Sequence, residues 1–249
     1  MSGIDILGLV VLGLFLGLLI FYLGFGKRWP AVFRPIKGYE ALGTSIERAV
    51  EAGERVHLSL GTGSIIGTDS APAFAGLVML KRIGRVTTLS DKPAVITTGD
   101  GAMTILAQDS LRSTYASEGA LDRFHPTSGR FLGPTPFSYF ATLPTLLTTE
   151  DVSVNVLAGS FGAEGALAAD AGDRGHSFVL AGTDDVQSQA LLYASANHPL
   201  IGEEIFAGGA YLNVGEAHRA SLRVQDAVRI VVIGAILLGT LLRVIGVSW

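Results

Sequence analysis

The sequence predicts an α/β protein in which a Rossmann-like, mostly parallel sheet domain is inserted between an N-terminal and a C-terminal transmembrane helix. A long apolar stretch near each end of the chain predicts the two helices. Between them, apolar runs are followed by glycine-containing loops and then by helix-like stretches. This alternation is typical of βαβ units and therefore of a parallel sheet.

The first apolar stretch, residues 6–26, contains no charged residue and is long enough to cross about 30 Å of hydrocarbon as a helix. Basic residues follow it at Lys27 and Arg28 and none precedes it, whereas a secretory signal carries its positive charge first. The closing stretch, residues 230–249, contains a single charge at Arg243. We expect two retained membrane anchors, with membrane lipid as a partner.

These features divide the chain into four segments: an N-terminal transmembrane helix at 1–29, an interfacial linker at 30–37, an α/β domain at 38–225 and a C-terminal transmembrane helix at 226–249. Basic residues next to membrane spans mark the cytoplasmic side. Most of them lie on the domain side of the two spans, at Lys27, Arg28, Arg34, Lys37, Arg219, Arg223 and Arg229. The sequence therefore predicts a two-span protein of the cell membrane whose central domain is cytoplasmic.

The composition of residues 38–225 excludes several classes of partner and site. This segment has 12 basic and 20 acidic residues, a formal charge of −8, so nucleic acid is not expected to bind. The chain has no cysteine, which excludes disulfides and thiolate metal sites. No metal site and no cofactor are predicted. The small share of charged residues favours self-association, because the cores of interfaces are depleted in charge.

Both spans carry small residues four positions apart, which allow helix backbones to approach closely in lipid. They are Gly13 and Gly17 in the first span, and Ala235 and Gly239 in the second. The alternative is that glycine is simply frequent in membrane helices. For Arg243, the sequence predicts either that the side chain extends to the outer interface or that it pairs with Asp5.

Within the central domain, the apolar pattern predicts one amphipathic helix followed by at least four strands. Leu42, Ile46 and Val50 recur every four residues and predict a helix over 38–53. Helix starts are predicted at Asp69 or Ser70 and at Asp184 or Asp185, because these side chains can cap free amides. The predicted strands are 56–60, 94–98, 152–157 and 178–181.

Residues 122–149 interrupt this alternation with four prolines and five aromatic residues. A segment of this length without clear periodicity is typical of a binding loop or lid. The alternative is an irregular excursion whose aromatic side chains cap the core.

The loop from Gly61 to Gly67 is the strongest candidate for a ligand site, because it follows a strand and precedes a helix. Glycines at such a place let the backbone approach a phosphate at the helix N-terminus. The candidate ligand-binding residues are Gly61, Thr62, Gly63, Ser64, Gly67 and Asp100, with Asp91 as a possible ribose-binding acid. The spacing departs from the dinucleotide fingerprint, so a purely structural turn is the alternative. No catalytic set is predicted.

The two apolar spans, together with the stretches LSLGTGSIIGTDSAPAF and AGSFGAEGALAADAG, resemble an uncharacterised family of bacterial two-span membrane proteins classed as a domain of unknown function. The resemblance covers most of the chain and implies no activity.

From these observations, the predicted function is that of a membrane-anchored structural or scaffold subunit that self-associates into a larger membrane assembly. The alternative is a membrane-bound sensor or enzyme that holds a nucleotide or phosphate ligand with the Gly61–Gly67 loop.

Overall fold

The structure of the protein is a computed structural model that describes residues 3–26 and 33–245, without the side chains of residues 3–5 and 7. Lys27 and Arg28, on which the predicted topology partly depends, lie outside the described residues. The chain divides into two units, one formed by residues 1–34 with 215–249 and the other by residues 35–214. The helices and strands in chain order are α1 (Gly3–Phe25), α2 (Lys37–Ala52), β1 (Arg55–Gly61), α3 (Ser70–Thr87), β2 (Val95–Thr98), α4 (Gly101–Ser117), β3 (Gly129–Phe131), α5 (Pro136–Thr149), β4 (Val152–Ser160), α6 (Gly165–Arg174), β5 (Phe178–Gly182), α7 (Val186–Ser195), β6 (His198–Leu200), α8 (Gly208–Tyr211) and α9 (Glu216–Val244).

The second unit is a doubly wound α/β domain, as the sequence predicts. Its described strands form one six-stranded sheet in the order β3-β2-β1-β4-β5-β6, and every neighbouring pair is parallel. Helices α2, α3 and α4 cover one face of the sheet with apolar side chains, and α5, α6 and α7 cover the other. Because both faces are covered, the central strands are buried along most of their length.

The four predicted strands are present as β1, β2, β4 and β5, and the predicted first helix is α2. Its buried face includes Leu42 and Ile46, and Gly53 ends it in the left-handed conformation that glycine favours. Helices α3 and α7 begin directly after Asp69 and Asp185, at the predicted starts. Asp185 accepts a capping hydrogen bond from the amide of Ser188, whereas Asp69 makes no capping hydrogen bond to α3. The strands β3 and β6 were not predicted, because three residues at a sheet edge carry too little pattern to be recognised.

Residues 122–149 form mostly regular structure, so the predicted irregularity of the segment is wrong. Two of its aromatic side chains, Tyr139 and Phe140, are buried in the core, as the alternative expects, and a binding role stays a prediction. After two short 3₁₀ turns the chain forms β3 and then α5. The prolines hid this helix, although Pro134 precedes it and Pro136 takes its first position, where proline is tolerated. The buried residues of α5 recur with helical period at Tyr139, Phe140, Leu143, Leu146 and Leu147.

Helix α3 lies unusually close to the sheet at Gly76. A Cβ at this position would collide with the carbonyl oxygen of Ala158 in β4. Only glycine permits this approach, which seats α3 directly on the central strands β1 and β4.

The first unit consists mainly of α1 and α9, two helices long and apolar enough to cross a membrane by length and composition. Helix α9 begins at Glu216, earlier than position 226, the predicted start of the C-terminal transmembrane segment. The end of α1 lies beside the first half of α9, where Arg223 Nη1 donates to the carbonyl oxygen of Gly26 at 3.0 Å. The two helices are therefore antiparallel.

The half-buried residues of α1 form a stripe at helical spacing that includes Phe15, Leu18 and Tyr22. Gly13 and Gly17 lie on the opposite side of α1, and a Cβ at either position would meet no atom of the chain within 4 Å. Gly239 of α9 is equally open, and Ala235 is exposed. These small residues are thus not what holds α1 against α9.

Arg243 lies in the last turn of α9 with an exposed side chain. The side chain of Asp5 lies outside the part of the chain that the structure describes, so the pairing of the two residues stays a prediction.

Candidate functional site at the carboxyl edge of the sheet

The strand order places the sheet's topological switch point between β1 and β4. In open α/β sheets the crevice beyond the carboxyl ends of the strands at this point is the usual ligand site. The loop that follows β1, residues 61–69, lies here, opposite the loop that follows β4. The structure therefore places the predicted loop at this crevice, and its use as a ligand site stays a prediction.

Backbone hydrogen bonds connect the end of β1 with both neighbouring strands, across the crevice to β4 and on its other side to β2. The amide of Thr62 donates to the carbonyl oxygen of Ser160 at 3.1 Å, and the amide of Gly99 donates to that of Gly61 at 2.8 Å. Gly61 has a φ of +70°, and a Cβ there would collide with the carbonyl oxygen of Ser160. Close contact between the loops after β1 and β4 is a sufficient reason for glycine at position 61.

The structure brings two of the predicted ligand-binding side chains together. Ser64 Oγ donates to Asp100 Oδ2 at 3.2 Å, and Asp100 Oδ1 accepts from the amide of Met103 at 2.7 Å. Asp100 therefore caps the N-terminus of α4, which is an ordinary role for aspartate. Gly63 is buried beside the start of α3, whereas Gly67 is exposed on the outer part of the loop.

Asp91, considered as a ribose-binding acid, lies at the opposite edge of the sheet. It precedes β2 and lines a cavity of about 230 Å³ together with Arg55 and Arg130. The amino end of β2 is far from the loop that follows β1, so Asp91 is not part of the candidate site. Asp100, which follows β2, occupies the place at which dinucleotide-binding folds carry a ribose-binding acid.

The basic cluster Lys81, Arg82 and Arg85 lines a groove of about 420 Å³ between α3 and α4. Arg85 Nε lies 2.9 Å from Glu118 Oε1, and Arg82 Nη2 lies 3.6 Å from Glu47 Oε1. These acids offset much of the positive charge, as expected of a solvated helix end. Among the described residues, no three metal-ligating side chains converge.

A chain of buried polar side chains lies between the sheet and helices α5 and α6, and sequence reasoning missed it. His57 Nδ1 lies 2.8 Å from Asn155 Oδ1, and His57 Nε2 lies 2.9 Å from Thr97 Oγ1. The hydroxyl of Tyr139 lies 2.6 Å from both Thr97 Oγ1 and Ser59 Oγ. The available signal was weak: His57 and Ser59 are the polar residues in an apolar run, two positions apart and so on one face of β1.

The donors and acceptors of this chain can be assigned in one direction. Asn155 Oδ1 only accepts, so His57 Nδ1 carries the proton and Nε2 accepts from Thr97. Thr97 in turn accepts from Tyr139, and Tyr139 accepts from Ser59. At the other end, Asn155 Nδ2 donates to the carbonyl oxygen of Ala168 in α6 at 3.4 Å. Every side chain of this hydrogen-bond chain has a hydrogen-bond partner, so the side chains together link three strands and two helices.

Burial keeps both titratable members of the chain neutral. Removal from water lowers the pKa of His57 to about 4, against a smaller opposite effect of the hydrogen bond to Asn155. Burial also raises the pKa of Tyr139 to about 12, while hydrogen bonds to Ser59 and Thr97 act in the other direction. Neither group changes charge near neutral pH.

Fold and site together define a class of protein. A Rossmann-like α/β domain lies in sequence between two long apolar helices, and a backbone hydrogen bond joins the loops after β1 and β4 at its switch point. The chain belongs to the family described as Domain of unknown function (DUF6754), whose model matches residues 4–249. No curated protein and no solved structure matches the chain.

The neutral state of His57 predicts acid sensitivity. The unfolded chain, with a histidine pKa near 6.5, binds more protons than the folded chain between about pH 4 and 6.5, so stability rises with pH across this window. Above about pH 6.5 protonation of His57 does not lower the free energy of unfolding. Below about pH 4 it lowers this free energy by about 3 kcal/mol. Urea unfolding of the detergent-solubilised chain, followed by circular dichroism at several pH values, measures this slope.

The control is His57→Gln, which removes the titrating group but keeps a side chain able to accept and donate. The variant is expected to be less stable at neutral pH and to have a shallower pH dependence between about pH 4 and 6.5. Equal slopes for the two proteins would show that His57 is not the acid-sensitive group.

Proposed function

We propose that the protein is a membrane-anchored structural subunit that self-associates into a larger membrane assembly. The observation that carries this proposal is the outward side of α1. There, Gly13 and Gly17 face open space on a helix that is apolar all round. In lipid such a side is typical of a surface against which another helix packs closely.

Exposure of apolar side chains supports the membrane anchor. Along α1 and the second half of α9 nearly every described large apolar side chain is exposed, including Val10 and Ile20 of α1 and Ile230 and Leu237 of α9. A helix that is apolar on all sides needs either a large protein core or lipid around it. Neither helix is buried in the chain, so lipid is the environment that suits them.

The end of the helix pair supports a single direction of insertion. The guanidinium of Arg223 lies 5.9 Å from the centre of the Tyr22 ring and also binds the carbonyl oxygen of Gly26. A cation is favourable at the C-terminus of a helix, where carbonyl groups lack partners. Arg219 and Arg229 lie on the same half of α9. By the positive-inside rule, this end and the α/β unit are on the cytoplasmic side.

The interactions of the switch point support a structural rather than a catalytic role. The amides of Thr62 and Gly99, which could bind a phosphate, are used within the fold. Both carboxylate oxygens of Asp100 accept hydrogen bonds from the chain itself.

A second candidate function is the binding of a nucleotide or phosphate ligand at this crevice. The specific observation in its favour is the strand order, which matches dinucleotide-binding folds and places Asp100 after β2. If this candidate is correct, ATP, NAD or inorganic phosphate raises the thermal unfolding temperature of the solubilised chain. No shift is expected for a purely structural subunit.

Replacement of Gly13 and Gly17 by leucine tests self-association. The bulky side chains would fill the outward side of α1, so the purified protein is expected to have a smaller mass in detergent by light scattering. The matched control is Gly234→Leu, a glycine of α9 that is also without neighbours within 4 Å. An unchanged assembly mass in the Gly13 and Gly17 variant would contradict packing through this side.

The absence of cysteine allows a direct test of topology. Leu89→Cys introduces one thiol at a position that is 77% exposed in the α/β unit. In sealed right-side-out membranes, a membrane-impermeant maleimide is expected to label this thiol only after permeabilisation. Ser2→Cys, on the other side of the first span, is expected to be labelled without it. The reverse pattern would place the α/β unit outside the cell.

A further inference from the structure

The exposed apolar side chains of the α/β unit are concentrated at the carboxyl edge of the sheet. We define this carboxyl edge as the end of each strand with the loop after it and the first turn of the next helical segment, residues 61–74, 98–105, 131–138, 159–167, 182–188 and 200–206. Ile66, Phe137 and Val186 are 87%, 84% and 77% exposed. Other large apolar side chains exposed there are Phe74, Ile105, Phe131, Leu167, Ile201 and Phe206.

The segments of the carboxyl edge form one continuous surface, because each is bonded to the next. The amide of Leu132 donates to Thr98 O at 3.1 Å, which joins the ends of β3 and β2. The Gly99–Gly61 and Thr62–Ser160 bonds continue the link to β1 and β4. From there, the amide of Phe161 donates to Thr183 Oγ1 at 3.2 Å, and Gln189 joins Thr183 to Gly202.

The six segments that define the carboxyl edge carry charge of a single sign, whereas the adjoining start of α2, where the Tyr39 hydroxyl donates to the carbonyl oxygen of Glu204, carries Lys37. The six segments contain no lysine, arginine or histidine, and seven acids: Asp69, Asp100, Glu164, Asp184, Asp185, Glu203 and Glu204. Some of these acids cap helices, as Asp185 does for α7. The N-termini of the five helices α3 to α7 contribute about half a positive charge each, which is less than the charge of the carboxylates. The surface is therefore apolar and negative.

Charges of both signs are found at the amino ends of the strands. Arg55 and Arg130 lie there beside a cavity, and Lys92 lies 3.8 Å from Asp151. Leu89 and Leu121 are the exposed large apolar residues of the loops at that amino edge. The mixed charge and sparse apolar exposure of the amino edge are ordinary for a solvated surface.

We infer that the carboxyl edge is a docking surface for a basic amphipathic segment of a partner protein, in which lysine or arginine residues flank apolar side chains. The inference deepens the proposed role as a structural subunit and rests on it. Charge complementarity selects this occupant. Anionic lipid headgroups and nucleic acid carry the same sign as the edge, and a symmetric contact between two copies would place carboxylates against carboxylates.

The test measures binding of a fluorescent amphipathic helical peptide made of leucine and lysine to the full chain in detergent micelles, by anisotropy. The variant Ile66→Ser, Phe137→Ser, Val186→Ser removes exposed apolar area only and is expected to weaken binding by about tenfold or more. The matched control is Leu89→Ser, Leu121→Ser, Tyr193→Ser, which removes exposed side chains elsewhere and is expected to leave the affinity unchanged.

A second pair of variants tests charge. Asp69→Asn with Asp184→Asn is expected to weaken binding and to reduce its salt dependence. Asp91→Asn with Asp122→Asn makes the same charge change at the amino edge and is expected to have little effect. A peptide of leucine and glutamate is expected to bind much more weakly than the lysine peptide.

The inference would be overturned if each variant and its matched control lost the same peptide affinity, or if the glutamate peptide bound as tightly as the lysine peptide. It would also be overturned if the protein bound anionic vesicles more tightly than the peptide, or if the Ile66, Phe137 and Val186 variant lost assembly mass with unchanged peptide affinity. The last two would identify lipid or a second copy as the occupant. The Gly13 and Gly17 variant keeps the carboxyl edge intact. If the assembly mass of this variant is unchanged while the peptide still binds, the result contradicts self-association through α1 but supports the docking surface.

Discussion

The buried hydrogen-bond chain from Ser59 to Asn155 is the constraint on which the arrangement of the α/β unit depends. A parallel sheet covered on both faces has no water to satisfy polar side chains. His57 in β1 must therefore meet its partners in the neighbouring strands, and Tyr139 must reach down from α5. A buried polar group without its hydrogen-bond partner destabilises the folded state by about 1–3 kcal/mol. The hydrogen-bond chain therefore favours one placement of α5 and α6 over all others.

This arrangement also determines what the carboxyl edge can do. Tyr139 and the backbone of Gly61 interact at the end of β1, close to where the loops after β1 and β4 are bonded to each other. Those bonds use the amides of Thr62 and Gly99 within the fold, and apolar side chains such as Ile66 and Phe137 are exposed around them. A surface of this kind suits a protein partner better than a nucleotide, in agreement with the structural role that we propose.

Much of the fold could be predicted because its signals are local. Apolar runs that end in glycine revealed β1, β2, β4 and β5, and the period of Leu42 and Ile46 revealed α2. Helix α5 was missed because Pro136 begins it and Pro144 lies inside it, although its buried residues keep the helical period. In the candidate site, the positions of Gly61 and Asp100 at strand ends were predictable, whereas their use in internal bonds was not.

The sequence by itself determined the two apolar helices, the alternation of strands and helices, the sign of the charge and the glycine-rich turn after β1. Each depends on residues close together in the chain, where helix and strand periods and turn chemistry act. Only the tertiary structure decided that β1 lies beside β4, that His57 meets Asn155 and Thr97, and that the exposed apolar residues share one edge. The reason is that these features arise from contacts between segments far apart in sequence, which no local pattern encodes.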